Sequence, residues 1–432
     1  MHHALARSML SGAVAFAATV ALAVPAMAAT AARTGSSPAT AQVSRDTLTV
    51  ATTGSDSGNC QSSPCQTLGY ALTKASPDDK IVIDPGTYPE SGNANIINAR
   101  LTGLKITSAG PAARTVINAA GNANGIRIQA SGVSVTGLTV ENANLEGILA
   151  EPVPSSWPAG PTSAPANISH VTIAGNVVVH NDLAYNTSLP ALSACPSSLT
   201  DADDCGEGIH LLGVSWSKVI GNYVSHNVGG ILVSDGGFGI SVGPAAHNLI
   251  AFNDSSDNAF DCGITLPGHD ARAVATTGPD AGQPQPSLAG VYDNTVVHNV
   301  SNGNGGAGLL DAAPYPGTGS YDNLFAGNSA SGNGNGGFVL HSHAPLQDSS
   351  GIVVTGNWFG RNNLAGDADT GVMPTTGVML LSVAVPTSIV VSNNVIFDNV
   401  NGVAFNSDIT VVGHNQFADV TNPSFRYTPP AS

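Results

Sequence analysis

The chain has 432 residues, with 29 acidic against 13 basic side chains and a formal net charge of −16. Beyond Lys218 only Arg272, Arg361 and Arg426 carry fixed positive charge, so nucleic acid, which is held through Lys and Arg on phosphate, is excluded as an expected partner, and a direct grip on a polyanionic glycan is disfavoured. Charged residues make up 10% and hydrophobic residues 42%, with 50 Gly, a balance that excludes disorder and suits a turn-rich β structure.

Residues 1 to 28 read as a secretory signal: His2, His3 and Arg7, an apolar run from Met9 to Val24, then Ala26-Met-Ala as a small-residue cleavage site. The run is shorter than the roughly 20 residues a membrane span requires, so export is expected, with no membrane span once the signal is removed. Residues 29 to 45, rich in Ala, Thr and Ser, read as a flexible leader. The fold is expected over residues 46 to 432 as a single domain, because a solenoid grows lengthwise without splitting.

Thr47 to Val50 predicts a strand, and Cys60 and Cys65 share a short loop where an exported chain would join them as a disulfide. Leu68, Ala71, Leu72 and Ala75 fall at helical spacing behind Thr67, a suitable N-cap. The spacing predicts a short amphipathic helix that covers the open end of a stack. Lys80-Ile-Val-Ile-Asp-Pro-Gly-Thr-Tyr then reads as a strand entering a turn, the start of the first coil.

From Asn176 onward a pattern of Asn, four residues, Asn recurs at Asn176/Asn181, Asn222/Asn227, Asn248/Asn253, Asn294/Asn299, Asn323/Asn328, Asn357/Asn362 and Asn394/Asn399. The second residue after the first Asn is always apolar: Val178, Val224, Ile250, Val296, Phe325, Phe359 and Ile396. Period two places that Asn on the same inner side. If each copy lies above the last, its amide donates to one neighbour and accepts from the other, which spares a buried polar group about 1–3 kcal/mol. A second recurrence opens on glycine: Gly208-Ile-His-Leu, Gly230-Ile-Leu-Val, Gly263-Ile-Thr-Leu, Gly308-Leu-Leu-Asp, Gly337-Phe-Val-Leu, Gly377-Val-Met-Leu and Gly402-Val-Ala-Phe. Repeats of this kind, with short strands and no helical stretch between them, predict a parallel β-helix rather than a propeller or a helical solenoid.

The stretch Cys65-Gln-Thr-Leu-Gly-Tyr-Ala-Leu, then Asp79-Lys-Ile-Val-Ile-Asp-Pro-Gly-Thr-Tyr88, followed by these Gly- and Asn-punctuated repeats, resembles secreted right-handed parallel β-helix proteins of the pectate-lyase-like superfamily over roughly residues 46 to 420. The resemblance implies an all-β, right-handed parallel β-helix with a short N-terminal capping helix. It leaves the reaction open, because that superfamily holds lyases, glycoside hydrolases, epimerases, esterases, adhesins and non-enzymatic surface proteins.

Segments at about 150 to 167, 183 to 205, 267 to 290, 312 to 320, 342 to 350 and 364 to 375 interrupt the coils. Most follow the Gly-initiated strand, so they are expected along one edge, walling a groove. Cys195 and Cys205 share one insertion and are expected to pair. Cys262 is left over and reads as a buried small hydrophobe.

Polar residues that break the repeat are the candidates for chemistry. His341 and His343 alternate, which aims both imidazoles to one side; His269 shares the offset of His343, and Asp270 follows it. Asp235 ends the strand from Gly230, Asp261 precedes Cys262-Gly263, and Glu207 precedes Gly208. Adjacent rungs are about 4.8 Å apart, so these groups are expected within a few coils of one another, with Asp235, Asp261, Asp270, His269, His341 and His343 as catalytic candidates and Glu207, Trp216, Phe238 and Tyr315 as substrate contacts. His180, His226, His247, His298 and His414 each precede an Asn and read as turn residues. Asp311 falls where the neighbouring repeats place an inward apolar residue, which requires either a shifted strand or a buried carboxylate with a partner.

The function expected is that of a secreted, extracellular carbohydrate-active protein that cleaves a polysaccharide or cell-wall glycan, by hydrolysis rather than β-elimination because cations to neutralise a uronate are scarce. The alternative is a non-catalytic glycan-binding or cell-surface protein. A monomer without a required cofactor is expected; calcium or a transition metal is the alternative, with His341, His343, His269 and a nearby Asp as a metal site.

Overall fold

The computed structural model describes residues 45–90, 92, 95–152, 167–183, 206–237, 240–367, 371, 373–383 and 387–429. The signal and leader segments, the Cys195 and Cys205 pair, Phe238 and most of the insertions at 150 to 167 and 183 to 205 lie outside these residues.

The strands form a parallel β-helix. Face A is a sheet of twelve strands running from Thr47–Val50 to Ile409–Val412, with every neighbour parallel. Face B carries the Gly-initiated strands, among them Ile148–Ala150, Glu207–Leu212, Gly229–Ser234, Ile264–Pro267, Leu309–Ala313, Phe338–Ser342 and Thr376–Ser382. Face C stacks Gly86–Pro89 through Asp254–Ser256 and continues across single bridges at Val300 to Ser329–Ala330 and Trp358–Phe359. Two short sheets, Ile168–Ser169 with Val214–Ser215 and Ala245–Ala246 with Val291–Tyr292 and Ser320–Tyr321, precede the return to face A.

The Gly-initiated strands stack in the expected register: Ile209 pairs with Ile231, Ile231 with Ile264, Ile264 with Leu309, Leu309 with Phe338, Phe338 with Val378 and Val378 with Val403. All seven side chains are buried in one core. Each glycine leads its strand across a crowded interior corner. A Cβ on Gly263 would lie 1.8 Å from Ser301 Oγ, and one on Gly230 would lie 2.1 Å from the Gly263 carbonyl oxygen.

The asparagines also pile up, but in three columns rather than one. At the A-to-C corner the Nδ2 to Oδ1 chain runs Asn176, Asn222, Asn253, Asn299, Asn328, Asn357, Asn394, Asn415, with steps of 2.8–3.1 Å. At the C-to-B corner it runs Asn181, Asn227, Asn258, Asn304, Asn333, Asn362. A third column, Asn248, Asn294, Asn323, marks the entry to face A. The expectation that the first Asn of each pair forms a single column is therefore corrected. Asn248, Asn294 and Asn323 sit one corner earlier than Asn176, Asn222, Asn357 and Asn394, and Ile250, Val296 and Phe325 belong to face A while Val178, Val224, Phe359 and Ile396 belong to face C.

The cause is that all three corners use the same local solution, a left-handed residue followed by an inward Asn. His180, His226, His247 and His298 occupy such left-handed positions at φ 55–59°, as their reading as turn residues anticipates. At the entry to face A, Trp216 has φ 55° and the following Ser217 stands in the Asn position, its N–H donating to Asn248 Oδ1 at 2.9 Å.

The N-terminal end is closed as expected. Helix α1, Leu68–Lys74, has Thr67 as its N-cap, accepting from the Tyr70 N–H, and buries Leu68, Ala71 and Leu72. The buried Glu90 carboxylate accepts from the Leu68 N–H at 2.7 Å, which places an anion at the positive end of the helix. Cys60 and Cys65 are joined by a disulfide. At the opposite end a cavity of about 400 Å³ opens among Phe405, Val411, His414, Phe417 and Arg426, where the stack stops.

Asp311 resolves in favour of a buried carboxylate. It pairs in register with Leu266 and Leu340, so the strand is not shifted, and its Oδ2 accepts from Asn323 Nδ2 at 3.0 Å. Burial holds its carboxyl well above the usual range, against the pull of the Ser320 and Asn323 side chains.

Asn253 Oδ1 accepts from the Asn222 backbone N–H and Nδ2, and its Nδ2 donates to Asn299 and to the Val219 carbonyl. Asn253→Ala leaves the buried Asn222 N–H and Val219 carbonyl without their partner and is expected to cost about 1–3 kcal/mol in urea unfolding, whereas Asp280→Ala, at an exposed turn, should stay within about 0.5 kcal/mol.

Candidate functional site

The outer side of face B collects nearly all the candidate groups, but it is not an open groove. Leu232, Thr265, Val339 and Met379 point outward from this face and are buried. Insertions reach it from both edges: 268–290, 314–319 and 343–351 leave after the Gly-initiated strand, whereas 363–375 arrives before Thr376–Ser382. Of the last, Met373 packs over the face beside Val339, Met379 and Leu381. Cys262 is buried in the same apolar layer, and burial pushes its thiol well above the ordinary value, so the reading of a small hydrophobe is retained.

The sequence candidates fall into three groups along this face. The first contains Asp235, His269 and Asp270. Asp235 is fully buried; its Oδ1 accepts from the backbone N–H of His269 at 2.7 Å and of Asp270 at 3.2 Å, and its Oδ2 accepts from the Gly290 N–H at 2.7 Å. It therefore pins both ends of the 268–290 insertion to the coil beneath. Asp270 is buried and paired with Arg272, whose Nη2 lies 2.6 Å from Oδ2 and whose Nε donates to Oδ1 at 3.0 Å. His269 sets Nδ1 3.4 Å from the Gly236 carbonyl oxygen.

The second group contains His341 and His343. Their rings are 4.9 Å apart, and His341 Nε2 lies 2.9 Å from Oδ2 of Asp367 on the covering loop. The imidazole keeps 13% of its side-chain surface exposed, against 3% for the carboxylate. Asp367 was not legible from the repeat, since an insertion has no offset to align; the signal was a short acidic run, Gly366-Asp-Ala-Asp, in the loop nearest the His pair.

The third group contains Glu207 and Asp261 and adds three residues absent from the sequence reading. Glu146, Glu207 and His210 bring their ligand atoms within 4.8 Å of one another, all buried. His210 Nδ1 lies 3.1 Å from Glu146 Oε1, its Nε2 lies 2.8 Å from Ser234 Oγ, and the Glu207 N–H donates to Glu146 Oε2 at 2.9 Å. Asp182 adjoins them. Burial first, and then the Glu146 charge, push its carboxyl up to about 10, with Asp261 adding to the rise. A readable signal existed: Glu146-Gly-Ile repeats Glu207-Gly-Ile, and the register stacks Ile148 on Ile209.

The expected substrate contacts are dispersed. Trp216 is 56% exposed and stacks on His247 with ring centroids 4.0 Å apart; His247 meets the edge of Tyr292, which stacks on Tyr321. This aromatic row climbs the corner leading into face A. Tyr315 lies in a turn closed by Thr318 Oγ1. Phe238 lies outside the described residues.

No family model matches the chain, and no curated protein matches it. Among solved structures, the chain is similar to the A-module of the mannuronan C-5 epimerase AlgE6 of Azotobacter vinelandii (15% identity, 81% of this chain and 88% of that one, TM-score 0.45). It is similar to the pectate lyase Pel9A (14%, 87% and 78%, TM-score 0.42) and to the GH136 lacto-N-biosidase from Eubacterium ramulus (11%, 87% and 68%, TM-score 0.46). The parallel β-helix itself is established by the strand pairings of this chain.

Burial, reinforced by Asp270, pushes the Asp235 carboxyl up to about 7, against the pull of its backbone N–H donors. An acid raised in the folded state favours folding fully below its unfolded value, about 4, and that contribution is lost as pH rises toward about 7. The thermal midpoint should therefore fall between pH 4.5 and 7.5, and Asp235→Asn, neutral throughout, should fall less steeply; parallel slopes would remove Asp235 as a source of the pH dependence.

Proposed function

We propose that the chain is an extracellular carbohydrate-active β-helix protein that cleaves a glycan, with His341 and Asp367 as its proton-transferring pair and His343 beside them. The observation that carries this reading is the 2.9 Å contact between His341 Nε2 and the buried Asp367 carboxylate, next to the His343 ring. Imidazole is the side chain that changes charge near neutral pH, and a buried carboxylate fixes its orientation and tautomer while supporting the imidazolium form.

A glycan as the substrate class is supported by the resemblance carried by residues 65 to 88 and the repeats, by the exposed Trp216–His247 stack, and by the shortage of cations. Hydrolysis is favoured over β-elimination on the same ground: Arg272 is held by Asp270 and Arg127 by Glu151, so neither is at hand to neutralise a uronate. Asp235 serves in this reading to seat the 268–290 loop. One observation favours the non-catalytic alternative: the outward residues Leu232, Thr265, Val339 and Met379 are buried, and a protein that only binds glycans would use the exposed Trp216 at one end of the aromatic row.

Export is supported by the signal-like residues 1 to 28, and among the described residues no helix is long and apolar enough to cross a membrane. The test is a panel of neutral and acidic glycans assayed for reducing ends and for unsaturated products. His341→Ala and Asp367→Asn are each expected to lower kcat/KM by about 10²–10⁴ on any substrate cleaved, with little change in KM. Binding on the panel without product would establish the non-catalytic alternative, and cleavage at wild-type rates by both variants would move the chemistry elsewhere.

A further inference from the structure

We propose that Glu146, Glu207 and His210 form a binding site for a divalent transition-metal cation, with Asp182 completing the oxygen ligands. The site is built by the register. Gly147 and Gly208 head strands that lie side by side on face B, so the glutamates before them are vertical neighbours on adjacent rungs. Two carboxylates so placed, with Glu146 at 4% exposure and Glu207 at 1%, repel each other out of contact with water, an arrangement that is costly unless a cation offsets it.

The ligand atoms of the three residues lie within 4.8 Å of one another. Metal bonds of about 2.0–2.2 Å hold ligand atoms roughly 3–4 Å apart, so small side-chain shifts suffice. His210 is set for ligation. Its Nδ1 lies 3.1 Å from Glu146 Oε1 and its Nε2 2.8 Å from Ser234 Oγ; with a cation bound, the Nε2–H would donate to Ser234 and Nδ1 would be the ligating nitrogen. This is the outer partnership that fixes the tautomer of a metal-bound imidazole.

A second observation points to the same ligand. Asp182 is 3% exposed and accepts a hydrogen bond from the Val228 backbone, yet its Oδ2 is buried with no hydrogen-bond partner, and it feels the charges of Glu146 and Asp261. Space for these carboxyl groups is kept by missing side chains. A Cβ on Gly206 would lie 1.9 Å from Asp182 Oδ2, and a Cβ on Gly229 would lie 2.9 Å from Glu207 Oε1 and 3.2 Å from Asp261 Oδ2. One imidazole nitrogen among carboxylate oxygens suits Zn²⁺, Mn²⁺ or Fe²⁺, whereas Ca²⁺ and Mg²⁺ favour all-oxygen shells. The site is separate from the His341–Asp367 pair and does not depend on glycan cleavage.

The test uses the full chain purified without chelator or affinity metal, followed by elemental analysis. It continues with calorimetric titration of chelator-treated, dialysed protein with ZnCl₂ and MnCl₂, and with CaCl₂ as control. About one equivalent of transition metal per chain is expected, with a rise in thermal midpoint on addition and a loss of affinity of at least tenfold in Glu207→Gln and in His210→Ala. Ser234→Ala, which leaves all ligands in place, should weaken binding by about 10–100-fold. Absence of stoichiometric binding by the wild-type chain overturns the proposal even if a ligand variant fails to fold, and so does undiminished affinity in folded Glu207→Gln. Glycan turnover is not a readout, so the result stands apart from the proposed reaction.

Discussion

The asparagine side chain that bridges one coil to the next is the interaction on which the rest of the structure depends. A β-helix turns its backbone at each corner, and a turned backbone leaves inward N–H and carbonyl groups that the sheets cannot pair. At Asn253 one amide answers two such demands on the coil below, accepting from the Asn222 N–H and donating to the Val219 carbonyl, and it also bonds the Asn222 amide on that coil and the Asn299 amide on the next. Because each amide binds its counterpart at the same height, a slip of one residue would break a whole column. Register is thereby held along the barrel, and everything built outside it inherits that order.

How much could be read in advance follows from which constraints repeat. The glycine column was legible because its cause is steric and specific to one corner: only there would a Cβ meet Ser301 or the Gly263 carbonyl at about 2 Å. The asparagine motif was legible as chemistry and misleading as position, since three corners share one solution and the text does not say which corner a given pair spans. The capping helix and the Cys60–Cys65 bridge were local enough to be read directly. The site was read in pieces. His341 and His343 stood out as an alternating pair, but Asp367 reaches them from an insertion with no periodic offset, and Glu146 was missed because its coil was not aligned with that of Glu207.

The outer side of face B shows the consequence of strict stacking. Like residues are brought over like, which is favourable for Ile, Phe and Asn and unfavourable for acids. The fold deals with its misplaced carboxyls in distinct ways. Asp311 is bonded to Asn323, Asp235 is surrounded by backbone N–H donors, and Asp270 is paired with Arg272. The cluster of Glu146, Glu207 and Asp182 gathers instead around the His210 imidazole, which is why it stands out from the structural carboxylates.

Amide hydrogen exchange resolved by residue tests the central claim most directly. The backbone N–H groups of Asn222, Asn253, Asn299, Asn328 and Asn357 each donate to the side chain of the Asn one coil on. If the columns hold the register, these amides should exchange only through a shared, large-scale opening, far more slowly than those of the exposed turn at 277–282. Exchange at these asparagines as fast as in that turn, or at unrelated rates from coil to coil, would contradict the account.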